Sequence, residues 1–263
     1  MPTGPESDEL PRHHVRSLGR GLSVLRCFDK QHPYLTLSEV ARATGMTRAA
    51  ARRFLLTLVD LGYVRVHDHR FELTPQVLEL GYAYLSSVPL PRLAEPHLAS
   101  LSATVQESAS VSMLADGAIV YIARVATSRI MRIDIDIGTR LPAHITSMGR
   151  VLLAGLAEEQ LSQQLALVGL GSEGDHQAER EQLLRVLDVV RRDGYALVDQ
   201  ELEPGLRSIA VPIRLPSGEV EAACNVSTDS HRVTVDELRT QMLPRLQETA
   251  QAIEHDLTLA GRR

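Results

Sequence analysis

The chain has 263 residues, of which 44% are hydrophobic and 23% charged, ordinary values for a soluble globular protein with room for one large domain or two smaller ones. Its two cysteines, Cys27 and Cys224, lie in opposite parts of the sequence, which excludes a disulfide framework and fits a reducing compartment. Charge is spread unevenly: between Leu10 and Phe71 eleven Lys/Arg face four Asp/Glu, a net of +7, leaving −12 for the rest of a chain whose total is −5.

Such a split points to a nucleic-acid-binding module joined to an acidic one. Arginine content alone says little, because 27 of the 28 basic residues are Arg and Lys30 is the one lysine. With no Trp and three Phe, the cores must be aliphatic. No apolar run reaches the roughly 18–20 residues that a membrane span needs. The N-terminus, MPTGPESDELPRHH, is polar and unlike a signal peptide. The expectation is a cytoplasmic protein that opens with a disordered arm over 1–14 and has no membrane partner.

In SLGRGLSVLRCF, Leu18, Leu22, Leu25 and Phe28 recur at helical spacing and predict an inward helix face. TLSEVARA follows, with Thr36 and Glu39 in the T-x-x-E pattern of a capping box. Thr44-Gly45-Met46 breaks that helix, and Thr47 is a natural N-cap for the next. On a helical wheel Ala50, Ala51, Phe54, Leu55 and Leu58 share one side, while Ala49, Arg52 and Arg53 lie opposite with Arg48 on a flank. Two short helices joined by a Gly-containing turn form a helix-turn-helix. Beyond Gly62, YVRVHDHRFELTP reads as two short strands around a polar tip, so a winged helix-turn-helix is expected over 15–75.

The partner expected for this module is double-stranded DNA. Thr47, Arg48, Ala49, Arg52 and Arg53 form the reading surface, and Arg65 and Arg70 reach phosphate from the wing. A basic amphipathic helix by itself is more often a solvated face; cap, turn, wing and local charge together favour DNA. His67 and His69 around Asp68 lack a full ligand set, so no metal is expected.

Thr74 and Pro75 start a further helix whose apolar residues, Val77, Leu78, Leu80, Tyr82, Tyr84 and Leu85, run nearly all round it. It is expected to serve as a linker helix over 76–91, buried on its own chain or paired with a second copy. Pro89 and Pro91 mark the boundary to a second domain over 92–263.

There SVSMLADGAIVYIARV predicts a hairpin about Asp116-Gly117. IMRIDIDIG alternates, with Ile133, Ile135 and Ile137 on one face. Helices are expected at about 147–168 and 177–193, strands on either side of Pro216-Ser217-Gly218, and a closing helix from Thr234 to about Leu257 bent at Pro244. The fold class is α+β, an antiparallel sheet flanked by helices of the GAF or PAS sort.

Catalytic patterns fail on context. GLGSEG at 169–174 follows a helical stretch instead of a strand, so it is a loop. His144 and Ser147 lack a nucleophile elbow. No catalytic residue and no cofactor is expected. The alternative class is a small-molecule sensor or enzyme whose helix-turn-helix makes protein contacts.

SLGRGLSVLRCF, TLSEVARATGMTRAAARRFLLTLVDLGYV, GTRLPAHITSMGRVLLAGL, DQELEPGLRSIAVPI and GEVEAACNVS together closely resemble the IclR-type transcriptional regulators, from about Arg16 to the closing helix. The second stretch is most similar to the PcaR/PcaU/PobR subgroup, regulators of protocatechuate, 4-hydroxybenzoate and β-ketoadipate catabolism. The resemblance implies a winged-helix domain, a linker helix used in dimerisation, and a C-terminal effector-binding domain. It implies a homodimer or tetramer, a small organic acid as effector, and RNA polymerase as a further partner.

Carried onto this sequence, it places the effector among His144, Thr146, Ser147, Asp199, Glu201, Arg207, Ser208 and Cys224. A helix N-terminus near Ser147 would offer N–H groups to a carboxylate, and Arg207 a bidentate contact. Each has an ordinary structural alternative: capping for His144, an ion pair with Glu201 or Glu203 for Arg207, packing for Cys224.

Overall fold

The computed structural model describes residues 15–127, 135–171 and 176–260, with the side chains at 85 and 86 set aside. The expected arm at 1–14, most of the IMRIDIDIG segment and the end of GLGSEG lie outside the described residues. The chain divides into two compact units between Ser86 and Ser87.

The first unit holds α1 (Arg16–Leu25), β1 (Leu35–Thr36), α2 (Leu37–Ala43), α3 (Arg48–Asp60), β2 (Val64–His67) and β3 (Arg70–Leu73). Its three strands form an antiparallel sheet in the order β1-β3-β2. The capping box starts α2: Glu39 N donates to Thr36 Oγ1 at 3.3 Å, and Thr36 N donates to Glu39 Oε2 at 2.7 Å. Two orphan helix-end donors are satisfied at once, which also holds the Glu39 carboxyl below its usual pKa.

Gly45 turns the chain at φ +63, and Thr47 caps α3 by accepting from Ala50 N at 3.2 Å. Ala51, Leu55 and Leu58 point into a core with Val24, Val40, Val64 and Phe71. The wing closes on Asp68 and His69, both left-handed, in a tight two-residue turn between the paired His67 and Arg70. The face expected for α1 is corrected in its first half. Leu18 and Leu22 are exposed, whereas Leu25 and Phe28 of the same row reach the core together with Val24.

A single 3-10 turn, Pro75–Val77, leads into α4 (Leu78–Ser87). Leu78, Leu80, Tyr82 and Tyr84 are exposed on it.

The second unit comprises α5 (Leu90–Val105), β4 (Ser108–Ala115), β5 (Ala118–Val125), β6 (Arg140–Pro142), α6 (Ser147–Ala154), α7 (Glu158–Leu167), α8 (Gln177–Asp193), β7 (Ala196–Asp199), β8 (Leu206–Arg214), β9 (Val220–Asp229), α9 (Val235–Glu237) and α10 (Leu243–Ala260). All six strands pair antiparallel in the order β6-β5-β4-β9-β8-β7. The helix expected over 147–168 is two, α6 and α7. The closing helix begins with a capping box at Thr234, passes through one π-helical stretch at Leu238–Met242, and continues as α10. Period-two alternation does not persist through the end of IMRIDIDIG: Ile135 is buried but Ile137 is exposed, because the chain turns at Gly138 before β6.

Helices cover both faces of the sheet. On one, Ile209, Val211, Ile213, Cys224 and Val226 pack with Leu98 of α5 and Leu246 of α10. On the other, Ala210 and Ala223 belong to the core made by α6 and α8. A short 3-10 turn, Ala143–Ile145, lies against α6 with no spare room. A Cβ added at Gly149 would sit 2.1 Å from the carbonyl oxygen of Ala143. Gly149→Ala must therefore part the turn from the helix, at a cost of about 3 kcal/mol for forced overpacking. Urea denaturation should read a loss of that order, while a Gly45→Ala variant, strained only in its backbone, should lose less.

Candidate functional site

Two surfaces concentrate the residues expected to act. On the first unit, Thr47, Arg48, Ala49, Arg52 and Arg53 are all exposed on α3, opposite its buried Ala51–Leu55–Leu58 face. Three guanidinium groups thus share a side with Thr47 and Ala49 at its start and the exposed Leu56 further along, and the small residues at that start allow close approach to a major groove. On the wing, Arg70 is exposed, whereas the Arg65 Nε donates to Glu72 Oε1 at 2.8 Å across the hairpin. That pair neutralises Arg65 locally, so a phosphate must compete with Glu72 for it.

On the second unit a cleft opens between α6 and the sheet. Its floor is Tyr121 of β5, Ser208 of β8, and Asn225 and Ser227 of β9. Strand parity explains this row. Ser208 pairs with Ser227, and Ser110 with Asn225, so these polar residues share the face opposite Ile209, Cys224 and Val226. Thr146, Ser147 and Met148 close the roof. Leu202 and Leu206 form a rim.

The interior room is about 20 Å³, enough for one water, and about 370 Å³ counting the mouth and the gaps between side chains. An aromatic ring therefore enters only if the walls part.

The buried polar groups are largely paired. Ser147 Oγ and Ser208 Oγ lie 2.9 Å apart, Asn225 Nδ2 donates to Ser227 Oγ at 2.9 Å, and Arg124 Nη1 donates to Ser110 Oγ at 3.2 Å. Among the described residues Asn225 Oδ1 is buried without a partner. Thr146 caps α6 by accepting from Gly149 N at 3.1 Å; the N–H groups of Ser147 and Met148 then belong to a first turn that lacks intrahelical acceptors. Burial pushes the Tyr121 phenol up to about 12, against a smaller opposing effect of the Arg124 charge, so the ring presents a neutral hydroxyl.

Of the eight residues expected here, Thr146, Ser147 and Ser208 line the cleft. Glu201 stands at its edge and is held by Arg150, whose Nη1 and Nη2 donate to the two carboxylate oxygens at 2.8 and 2.5 Å. Arg150 Nε also donates to the His144 carbonyl at 3.0 Å. His144 lies next to the lining, with its Nδ1 buried and without a partner among the described residues.

Arg207 and Cys224 are placed differently from the expectation. Both belong to the opposite sheet face. Arg207 makes a bidentate pair with Asp199, at 2.8 and 2.9 Å, and donates to the Val233 carbonyl. Asp199 is spent on that pair, which keeps its carboxyl below the usual range. Cys224 is fully buried in the apolar core of that face, and its thiol is pushed up to about 12. Tyr121, Ser110, Asn225 and Ser227 were missed, although SASVS and NVS carry a legible period-two row of polar residues.

Comparison with known proteins decides the family. The model of the IclR helix-turn-helix domain matches residues 17–68, and that of the bacterial transcriptional regulator IclR C-terminal domain matches 82–255. The chain belongs to the IclR family.

It is a DNA-binding transcriptional regulator of that type, similar within the family to the PcaR/PobR subgroup. A Pca regulon regulatory protein from Pseudomonas putida is 43% identical, over 92% of this chain and 84% of its own length. A p-hydroxybenzoate hydroxylase transcriptional activator from Acinetobacter baylyi is 36% identical, over 95% and 96%. The crystal structure of an IclR homologue complexed with 4-hydroxybenzoate, from Microbacterium hydrocarbonoxydans, superimposes with a TM-score of 0.77 at 25% identity, over 92% of this chain and 98% of that one. In this IclR-family chain no described helix is long and apolar enough to cross a membrane.

His144 supplies a pH test. Burial first, and the Arg150 charge second, lower its pKa from the ordinary 6.5. Below about pH 6.5 the unfolded chain takes up a proton that the folded one resists, so this contribution to stability is present above that pH and lost as pH falls through the folded value. Melting temperatures at pH 7.5 and 5.5 should drop more in the native protein than in His144→Gln; an equal drop would mean that His144 titrates normally.

Proposed function

We propose that the protein regulates transcription of genes for aromatic-acid catabolism, with a small carboxylate as its effector. The observation that carries this reading is the cleft itself. A row of hydroxyl and amide groups faces the capped N-terminus of α6, in a chain whose relatives include a Pca regulon regulator and a structure holding 4-hydroxybenzoate. First-turn N–H groups suit a carboxylate, and the neutral Tyr121, Ser208, Asn225 and Ser227 suit the remainder of a polar ring.

In this reading residues 15–75 are the DNA-binding domain, 76–91 the linker and 92–263 the effector domain. Thr47, Arg48, Ala49, Arg52, Arg53 and Arg70 meet DNA, with Arg65 secondary. Thr146, Ser147, Ser208, Tyr121, Asn225 and Ser227 meet the effector, with His144 and Glu201 shaping its edge. The exposed Leu78, Leu80, Tyr82 and Tyr84 of α4 support self-association into a dimer or tetramer. A two-fold assembly requires half-sites spaced near whole helical turns. Contact with RNA polymerase belongs to the same reading where the regulator activates. No step in it is catalytic.

Two measurements test the proposal. Footprinting should show preference for the protein's own promoter region over random DNA, and a double Arg48→Ala/Arg52→Ala variant should bind more weakly with a salt slope reduced by about 2. An unchanged slope removes these residues from the interface. In thermal-shift assays, protocatechuate, 4-hydroxybenzoate or β-ketoadipate at about 100 times its Kd should stabilise the fold by about 2.7 kcal/mol. No shift from any of the three overturns the pathway assignment.

A further inference from the structure

Among the described residues, one polar atom on the floor of the cleft is buried without a partner. Asn225 is 3% exposed, at the middle of β9 between Ser110 of β4 and Ala210 of β8. Its amide nitrogen donates to Ser227 Oγ at 2.9 Å, while Oδ1 has no hydrogen-bond partner among the described residues. A buried acceptor left unmatched is unfavourable, and the cost is recovered when a donor arrives. The nearby hydroxyls do not reach Oδ1 in hydrogen-bond geometry: Ser227 Oγ accepts from the amide nitrogen, and Ser208 Oγ faces Ser147 Oγ.

We propose that Asn225 is a specificity residue, selecting effectors that carry a hydroxyl in addition to their carboxylate by accepting the hydroxyl proton at Oδ1. The inference rests on the reading of the cleft as the effector site and deepens it. It divides the acids that reading allows. A hydroxylated aromatic acid offers a carboxylate to the first turn of α6 and a donor to Asn225. A dicarboxylate presents acceptor oxygens at both ends, so at neutral pH its second carboxylate meets the lone pairs of Oδ1 with no proton between them. An unsubstituted aromatic acid buries the amide oxygen against carbon. Sites that hydrogen-bond a ligand hydroxyl reject analogues that lack it more strongly than apolar pockets reject one methylene. The discrimination expected from one such contact is about tenfold to a hundredfold in Kd.

The test is isothermal titration calorimetry of the full chain at pH 7.5 with 4-hydroxybenzoate, 4-methoxybenzoate, benzoate and adipate. The native protein should bind 4-hydroxybenzoate at least about tenfold more tightly than each of the other three. In Asn225→Leu, which keeps the branched shape but removes the acceptor, 4-hydroxybenzoate and benzoate should converge to within about threefold. The native ligand series stands as a test by itself if the variant does not fold. Equal binding of 4-hydroxybenzoate and benzoate, tighter binding of adipate, or a preference retained in Asn225→Leu overturns the inference and leaves the effector site standing. If none of the acids binds, the effector reading falls and takes this inference with it.

Discussion

Three central strands of the effector unit have two chemically different faces, and most of the unit follows from keeping them apart. On β4, β8 and β9 the residues that alternate inward to α5 and α10 include Val111, Ile209, Val211, Ile213, Cys224 and Val226. Those that alternate the other way include Ser110, Ser208, Asn225 and Ser227. The first set stabilises the unit by leaving water, at about 25 cal/mol per Å² of apolar surface. The second set is buried at a cost, because each hydroxyl or amide needs a partner in place of water. Slipping one strand by a single residue would exchange the sets and bury both wrongly, so register here is strongly specified.

That cost explains why α6 sits as it does. Its first turn brings Ser147 to Ser208 and its Thr146 cap to Gly149, and it can do so only because Gly149 has no side chain to hold the Ala143–Ile145 turn away. One turn further, Arg150 ties the same helix to the His144 carbonyl and to Glu201. The loop that carries Glu201 also carries the rim residue Leu202, so one guanidinium braces the roof and the rim of the cleft together. Such a clamp on a largely buried arginine is costly to break, since removal of one partner strands the other. Parting the walls for a ring must therefore move this assembly as a piece or exchange its contacts for contacts to the ligand.

The DNA-binding unit was legible in its parts because its signals are local. A capping box, a Gly turn, an N-cap and a tight wing each occupy a few consecutive residues, and Thr36, Glu39, Gly45 and Thr47 do what those positions require. The inward face of α1 was legible only in its second half: Leu18 and Leu22 share the spacing of Leu25 and Phe28, but only the latter two meet the core. In the effector unit the strands were legible but the site only in part. Arg207 and Cys224 sit one residue from Ser208 and Asn225, and one residue on a strand is the other face of the sheet. Motif similarity fixes the neighbourhood; parity fixes the direction, and the polar row of Ser110, Asn225 and Ser227 had to be read with Ile209 and Val226 to yield it. The Arg150–Glu201 pair links residues 51 positions apart, beyond any local pattern.

The arrangement also constrains how an effector could act on DNA. A ligand shifts an equilibrium only by the difference between its affinities for the two states. The groups able to supply that difference are those on α6 that the ligand would displace: Ser147, which now pairs with Ser208, and the Arg150–Glu201 brace. An acid that satisfies Oδ1 without disturbing α6 binds both states alike and changes nothing at the operator. One that parts α6 from the sheet draws on the same helix that packs against α8, and a displacement there has a route through the unit. In the proposed reading recognition and response are thus separable: the floor of the cleft selects the acid, and the roof sets whether holding it matters.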